Sequence, residues 1–339
     1  DTTKKGKMML EKTVVGIIIS AIAFGTVYTL TPVLIKVLSK RNLVVKDYNR
    51  VGGAMVPRPG GPSILAGILA SELTLYAFFP SVEVLAIIIT TSIAFLVGLA
   101  DDRKVLGGWF KPLALAGSAI PIILLGAYFP PHLEFPLFGY VKIPELYLAL
   151  IIIIVSITGN TINSIDVLNG VASGFMTIAS FALTISLFIV HNYDIALASL
   201  PLGLVSLAFY KYHKFPSKIF PGDSGALTLG AMYGTISIVG HVEIIAAVAL
   251  LPAVINSFLF LSSVKRIIEH RQIKANPVAH TEDFKLMAAT DKYAPITLVR
   301  LILAHGPMTE KEVGFVIFRL ALFSAILAII TSFMMGIKI

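Results

Sequence analysis

The chain contains no cysteine and few charged residues. Because none of its 339 residues is cysteine, a disulfide, a thiolate metal site and a cysteine nucleophile are all excluded. Charged residues make up 14% of the sequence, against about 25% in soluble domains. Hydrophobic residues reach 56% and the mean hydropathy is +0.88, which excludes a soluble globular protein. Apolar runs recur along the whole length, so we predict a single transmembrane domain over residues 1–339.

Ten apolar runs are long enough to cross a bilayer as α-helices, which need about 20 residues each. The runs are too continuous for barrel strands, so the predicted fold class is all-α: a polytopic integral membrane protein with about ten transmembrane helices. The predicted spans are about 13–38, 61–79, 84–100, 111–128, 145–160, 172–191, 195–211, 224–241, 244–264 and 312–335.

The placement of Lys and Arg predicts the orientation of these spans. The odd-numbered connections and their flanks hold 19 Lys and Arg residues, whereas the even-numbered connections hold only Lys142. By the positive-inside rule, the odd-numbered connections are cytoplasmic. The last of them, 265–311, is the longest polar segment, and we expect it to form a small cytoplasmic subdomain that binds substrate. The net charge of +8 is divided among short loops beside the membrane, which argues against nucleic acid as a partner.

Four aspartates end or begin apolar runs, and all four lie on the predicted cytoplasmic side. They are Asp101, Asp102, Asp166 and Asp223. Charges at such edges are costly unless they are paired or solvated, so they are candidates for a functional site. The repulsion between adjacent Asp101 and Asp102 would be relieved by Mg²⁺, by a shared proton or by a lysine such as Lys111. The alternative is an interfacial pair that marks a helix end.

Polar side chains recur at steps of three between two apolar runs, at Asn160, Asn163, Asp166 and Asn169. Each step of three lags by about 60° on an ideal α-helix, so a 3₁₀ or unwound segment would be needed to bring all four together. We expect the helix to loosen near Asp166, with Gly170 supplying the turn. Amide and acid oxygens suit a hard cation and the edges of a nucleobase. Capping and interhelical hydrogen bonding remain the alternative.

Asp223 opens the eighth predicted span and has two possible roles. It is a good N-cap residue. The same helix end also favours phosphate, and Asp223 would then hold the compensating Mg²⁺. Basic side chains on the same side suit a diphosphate-bearing substrate, although any one of them suits a lipid headgroup. These are Lys46, Arg58, Lys111, Lys265, Arg266, His270, Arg271 and Lys274.

These motifs together resemble one known family. Asp101-Asp102, the Asn160–Gly170 segment, Phe220-Pro-Gly-Asp223 and the Pro- and Gly-rich loop after the first span resemble the polyprenyl-phosphate N-acetylhexosamine-1-phosphate transferases, in matching order and on one membrane face. The resemblance covers essentially the whole chain. It implies about ten transmembrane helices and transfer of a sugar 1-phosphate from a UDP-sugar to a lipid phosphate, with release of UMP. It also implies Mg²⁺, with Mn²⁺ as an alternative.

Two stretches, His270-Arg271 and 298–308, resemble the eukaryotic and archaeal branch that transfers GlcNAc-1-phosphate to dolichyl phosphate and begins N-glycan assembly. Glu269 departs from the eukaryotic pattern, which has Arg at that place. The branch implies a multi-pass protein of an archaeal plasma membrane or the endoplasmic reticulum, with its active site facing the cytoplasm. The implied partners are a UDP-sugar, a polyprenyl or dolichyl phosphate and membrane lipid. A homodimer is left open.

The resemblance also implies roles for residues at matching positions. The metal ligands are Asn163 and Asp223; the catalytic residues are Asp101, Asp102, Asp223 and Lys111; the substrate-binding residues are Asn160, Asp166, Asn169, Phe220, His270 and Arg271. Of these, Lys111 and Arg271 hold the diphosphate, Asn169 contacts uracil and Phe220 stacks on it. His270 lies near the sugar phosphate or the N-acetyl group.

Several alternatives stay open at this level. We favour Asp101 as a base for the lipid phosphate, but the two adjacent aspartates could instead orient the metal and the lysine. A base is dispensable if the lipid phosphate, with a second pKa near 6, is already largely dianionic at pH 7. A covalent aspartyl-phosphate route and another UDP-N-acetylhexosamine donor are further alternatives. A nucleotide-sugar or phosphate transporter would place polar groups at mid-membrane or on both faces.

Overall fold

The computed structural model describes residues 2–50, 52–104, 107, 109–264 and 275–335. Helices dominate this part of the chain, which confirms the all-α class. The helices are α1 (Thr2–Lys40), α2 (Gly61–Phe78), α3 (Val82–Arg103), α4 (Phe110–Ser118), α5 (Ile120–Leu124), α6 (Pro144–Ile165), α7 (Val171–Ile189), α8 (Tyr193–His213), α9 (Gly222–Val239), α10 (Glu243–Ala249), α11 (Leu251–Val264), α12 (Leu298–Ile302) and α13 (Glu310–Met334). Three antiparallel hairpins pair β1 (Val44–Lys46) with β2 (Met55–Pro57), β3 (His132–Phe135) with β4 (Gly139–Lys142), and β5 (Val278–His280) with β6 (Leu286–Ala288).

The protein is a multi-pass membrane protein, but the predicted count of ten spans is not confirmed. Within the described residues, seven helices are long and apolar enough to cross a bilayer: α1, α2, α3, α6, α7, α8 and α13. The α10–α11 pair would make an eighth span, but it bends by 74° at its break. Pro252 lies just after that break and has no amide hydrogen to donate, which favours a bend there. The two remaining predicted spans correspond to the short α4–α5 pair and to α9.

Helix α9 is the centre of the bundle. All 18 of its residues are buried, and it packs most extensively against α3 and α6. Glycine permits this close approach, since a Cβ added at Gly98 of α3 would lie 2.5 Å from the Cα of Ser224. A Cβ added at Gly230 of α9 would overlap the carbonyl oxygen of Thr158 in α6. The end of α3 is therefore held against the start of α9, and α6 is held against its middle.

The polar segment after α6 loosens where the sequence predicts it. Helix α6 ends at Ile165, Asp166 is its C-cap residue, and Gly170 has a left-handed φ of 82° before α7 begins. The loosening does not reach Asn160, because α6 is a regular helix through that residue, and substrate binding by Asn160 stays a prediction. The Asn160 amide instead donates to the carbonyl oxygen of Ser156, 2.8 Å away.

The described part of the 265–311 segment folds on itself. Its hairpin pairs with the residues that precede α13, because Leu286 and Met308 exchange backbone hydrogen bonds of 2.8 and 2.9 Å. The Arg300 guanidinium donates to the carbonyl oxygens of Ala289 and Asp291, at 2.9 and 3.0 Å. Asn256 of α11 accepts from the Leu298 amide at 2.9 Å, which ties this small unit to the bundle. Substrate binding by the segment stays a prediction.

Candidate active site

Side chains from helix ends that are distant in sequence meet at one end of the bundle. The predicted site residues that come together there are Asp101 and Asp102 at the end of α3, Lys111 at the start of α4, Asn163 and Asp166 at the end of α6, and Asp223 at the start of α9. Arg58, from the loop between β2 and α2, joins them, and together these seven side chains form the charged group. A cavity of about 500 Å³ opens beside this group, with Asn163, Asp166 and Asp223 in its wall.

Asp223 contacts three of the other side chains. Its Oδ1 accepts from Lys111 Nζ at 2.8 Å and from Asn163 Nδ2 at 2.9 Å, while its Oδ2 accepts from Arg58 Nη2 at 2.5 Å. The two predicted metal ligands, Asn163 and Asp223, are thus in direct contact, although they belong to different helices. A carboxylate with two cationic partners holds the two cations close together, an arrangement that suits phosphate binding.

Asp102 caps helix α9 from another helix. Its Oδ1 and Oδ2 accept from the backbone amides of Asp223 and Ser224, both at 2.9 Å, and Arg58 Nη2 lies 3.0 Å from Oδ1. The N-cap role of Asp223 and the binding of phosphate at this helix end therefore need correction. Asp223 is not the N-cap residue, a position that Pro221 occupies. A phosphate cannot use these two amides while the Asp102 carboxylate accepts from them.

Asp101 is buried behind the site, with 3% of its surface exposed. Its Oδ2 lies 2.7 Å from Lys111 Nζ, so the lysine bridges Asp101 and Asp223. Among the described residues, Asp101 does not line the cavity. This position favours Asp101 as a residue that orients Lys111 over one that contacts a substrate proton.

Negative charge exceeds positive charge in this group. Burial, together with the nearby charges of Asp223 and Asp102, raises the pKa of Asp166 to about 7 against the opposing charge of Arg58. Burial lowers the pKa of Arg58, but the Asp102 and Asp223 carboxylates outweigh it and the net direction is upward. Within the described residues, the four aspartates face two side-chain cations, so a divalent cation would balance the charge.

The side chains fit a magnesium ion by chemistry. Mg²⁺ prefers oxygen ligands, keeps several waters and needs only one or two carboxylates from the protein. Asn163 and Asp223 offer an amide oxygen and carboxylate oxygens at one point of the cavity wall. Among the described residues, no three His, Cys, Asp or Glu side chains form a group that could hold a metal by themselves. Any ion here would therefore rely on water or substrate phosphate for further ligands.

The predicted uracil-binding residues also line the cavity. Phe220 lies in its wall, and its ring meets the buried His213 ring edge-on at 6.2 Å. Asn169 lies in the wall too, with its amide bonded to Asp47 and Glu310. Among the described residues the wall does not include Asn160, whose side chain bonds within its own helix. The predictions for His270 and Arg271 lie outside the described residues.

Several curated proteins are similar to this chain over most of their length. A Sulfolobus acidocaldarius protein named as a UDP-N-acetylglucosamine–dolichyl-phosphate N-acetylglucosaminephosphotransferase is 28% identical, over 93% of this chain and 96% of that protein. A Bacillus subtilis protein named as an undecaprenyl-phosphate N-acetylglucosaminyl 1-phosphate transferase is 27% identical, over 95% and 94%. The phospho-N-acetylmuramoyl-pentapeptide-transferase of Staphylococcus haemolyticus is 26% identical, over 78% and 89%.

The sequence profile of glycosyl transferase family 4 matches residues 84–241. Over this stretch the chain is similar to glycosyl transferase family 4. The matched stretch contains Asp101, Lys111, Asn163 and Asp223, so the family match coincides with the charged group. The family match confirms the resemblance predicted from the motifs, and the match and the relatives' names support a glycosyl-1-phosphate transferase.

Sequence reasoning missed three residues of this candidate site. Asp47, His213 and Glu310 are buried; the first two line the cavity, and Glu310 lies behind Asn169. Arg58 was found only as one of a set of basic residues. An acid at the first position of the last span was the one available signal for Glu310, and helix-start acids are common for reasons of stability alone.

Proposed function

We propose that this transferase moves N-acetylglucosamine 1-phosphate from UDP-N-acetylglucosamine to a dolichyl or polyprenyl phosphate. The products are UMP and a lipid diphosphate sugar, of the kind that starts N-glycan or related glycan assembly. Relatives named for this type of transfer match nearly the whole chain. The observation that carries the proposal is the meeting of Asp223, Lys111 and Arg58 beside a cavity at one end of a membrane bundle.

The arrangement suits two substrates that are both anions. Bringing a lipid phosphate against a diphosphate costs Coulomb energy, which nearby cations reduce. Arg58 contacts one carboxylate oxygen of Asp223 and Lys111 contacts the other, so a single carboxylate separates the two cations. Arg recognises phosphate through paired donors and Lys acts as a point charge, and together they would hold the donor diphosphate.

The chemical step exchanges one phosphorus–oxygen bond for another. An oxygen of the lipid phosphate attacks the β-phosphorus of the donor, and the bond from that phosphorus to the bridging oxygen breaks. The bridging oxygen leaves with the electron pair as part of UMP. Because a dianionic acceptor has no proton to lose, the protein's contribution is positioning and electrostatic stabilisation. Asp101 and Asp102 act in this scheme as positioning residues, for Lys111 and for the start of α9.

Asn163 and Asp223 would hold a Mg²⁺ ion, with Mn²⁺ as an alternative. When bound, the ion offsets charge on the transferring phosphoryl group. The excess of aspartates over cations in the charged group supports this assignment, since it leaves negative charge that a divalent cation would balance. Asp166 lies in the same wall and adds negative charge in its ionised form.

We place the site at the cytoplasmic surface of the membrane. The basic loops that favour this orientation belong to the same end of the bundle as Arg58 and Lys111. The acceptor phosphate would reach the site from the inner leaflet, and the soluble UDP-sugar would come from the aqueous side.

The test is release of UMP from UDP-N-acetylglucosamine by the purified full-length protein. We expect release that needs both dolichyl phosphate and Mg²⁺ and stops when EDTA is added. Asp223→Asn should lower the rate by about 100-fold or more, because it weakens the hold on both cations and on the ion. Asp194→Asn is the matched control, since Asp194 pairs with Lys12 at 2.5 Å, well exposed and outside the charged group. Movement of intact UDP-N-acetylglucosamine into vesicles without UMP would contradict the proposal and favour a transporter.

A further inference from the structure

The side-chain amide of Asn169 makes hydrogen bonds with three different groups. Its Nδ2 donates to Glu310 Oε1 at 2.7 Å and to Asp47 Oδ2 at 3.2 Å. Its Oδ1 accepts from the backbone amide of Ser217 at 2.8 Å. An NH₂ group has two hydrogens and an amide oxygen has two lone pairs. Both donors of Asn169 are therefore used, and one acceptor position remains.

The two carboxylates fix the direction in which this amide points. If the amide turned over, its oxygen would face two carboxylate oxygens and its nitrogen would face the Ser217 amide nitrogen. Every one of the three hydrogen bonds would then be replaced by a repulsive contact. Asp47 and Glu310 are both buried, which strengthens this preference because water cannot compensate.

Glu310 is itself held firmly. Its Oε1 also accepts from the Asn169 backbone amide at 2.6 Å, so the acid holds both the main chain and the side chain of the same residue. The preceding Met308 pairs with Leu286 of the hairpin unit, which anchors the start of α13. Glu310 Oε2 is buried and accepts no hydrogen bond within the described residues, so this side of the cavity has spare acceptors.

We propose that Glu310 and Asp47 lock the Asn169 amide so that it offers a hydrogen-bond acceptor, and that this lock selects uracil over cytosine. The inference rests on the proposed function, in which a uridine nucleotide enters the cavity that Asn169 lines. Uracil has an N–H donor at ring position 3, whereas cytosine has a lone pair there. An acceptor matches the first ring and repels the second, so discrimination follows from the orientation of one amide.

The test compares binding of UDP and CDP to the full-length protein in detergent by calorimetry. The wild type should bind UDP more tightly than CDP. Glu310→Gln replaces one locking carboxylate by an amide that donates as well as accepts, so the Asn169 amide can turn over. We expect the ratio of the two dissociation constants to fall about tenfold, the equivalent of one hydrogen bond. Asp47→Asn should shift the ratio in the same direction and serves as a second variant if the first does not fold.

Glu312→Gln is the matched control, because Glu312 lies two residues further along the same helix and bonds only to the exposed Thr309 cap. It should leave the ratio unchanged. Equal loss of UDP and CDP affinity in both locking variants would show a merely structural role and overturn the inference, as would a wild type that binds the two nucleotides equally. Because binding needs no turnover, UDP selectivity without UMP release would count against the proposed function and leave the lock standing.

Discussion

Each cation of the site is shared between two carboxylates. Lys111 bridges Asp101 and Asp223, and Arg58 bridges Asp102 and Asp223. Sharing holds both cations in place before a substrate arrives, and less side-chain entropy is then lost on binding. It also means that a substrate phosphate must compete with Asp223 for them, so the strength of these pairs sets how readily the site accepts its donor.

The first residue-scale prediction concerns Asp101. Because Asp101 holds Lys111 and does not line the cavity, Asp101→Asn should lower kcat by about tenfold through a looser lysine. The shape of the rate against pH should stay as in the wild type. If the rate of the wild type falls at low pH and the rate of the variant does not, Asp101 is the base. A transferred phosphate trapped on Asp101 without lipid acceptor would support the covalent route instead.

The second residue-scale prediction concerns Asp166. Its native pKa of about 7 lies above the ordinary value of about 3.9, so between these two pH values the native state binds more protons than the unfolded state. Stability from this group is therefore present at low pH and lost as pH rises towards 7. In metal-free buffer, Asp166→Asn should lose less thermal stability than the wild type between pH 5 and pH 7. Parallel melting curves for the two proteins would contradict this.

At the scale of elements, the site depends on how closely three helices approach. Gly98 brings α3 against the first turn of α9, where Asp102 caps the amides of Asp223 and Ser224. Gly98→Ala would force α3 away from α9 and move Asp102 from its bonds. We expect a lower melting temperature and a loss of activity of about tenfold or more. Gly25→Ala in α1 is the control, since a Cβ there meets nothing within 4 Å among the described residues.

The sequence predicts the positions of the helices better than it predicts where they bend or unwind. Apolar runs predict helices because lipid leaves no other partner for the backbone, and each predicted span falls on a helix or a helix pair. The bend between α10 and α11 was missed, although Pro252 marks it, because an apolar run does not show whether it turns. The loosening near Asp166 was predicted correctly, but the spacing of the polar residues did not show that Asn160 would bond within its own helix.

The sequence predicts those site residues whose charge is unusual for their position. Asp101, Asp102, Asp166 and Asp223 stand out because acids at the ends of apolar runs are costly. The locking acids Asp47 and Glu310 do not stand out, since Glu310 meets Asn169 from 141 residues away and no local pattern shows that pairing. The capping of α9 by Asp102 is equally non-local, because the bond joins residues 121 apart.

At the scale of the whole molecule, the absence of cysteine allows a direct test of orientation. A single cysteine in place of Lys292, in the segment before α13, and another in place of Lys142, on the β3–β4 hairpin, would report the two ends of the bundle. In intact cells, a membrane-impermeant thiol reagent should label the Lys142→Cys protein and should not label the Lys292→Cys protein. The reverse pattern would place the active site on the outer surface. Equal labelling of both proteins after lysis is the control for reactivity.

Every residue of the charged group stands at or near the tip of a helix, and this has a consequence for the lipid around the protein. When hydrocarbon thickness differs from the length of the apolar segments, helices tilt, and their tips shift most. Turnover should therefore peak in phosphatidylcholine vesicles of one acyl length and fall in both shorter and longer lipids, while the fold persists. The thickness of the surrounding bilayer would then control the rate of sugar-phosphate transfer.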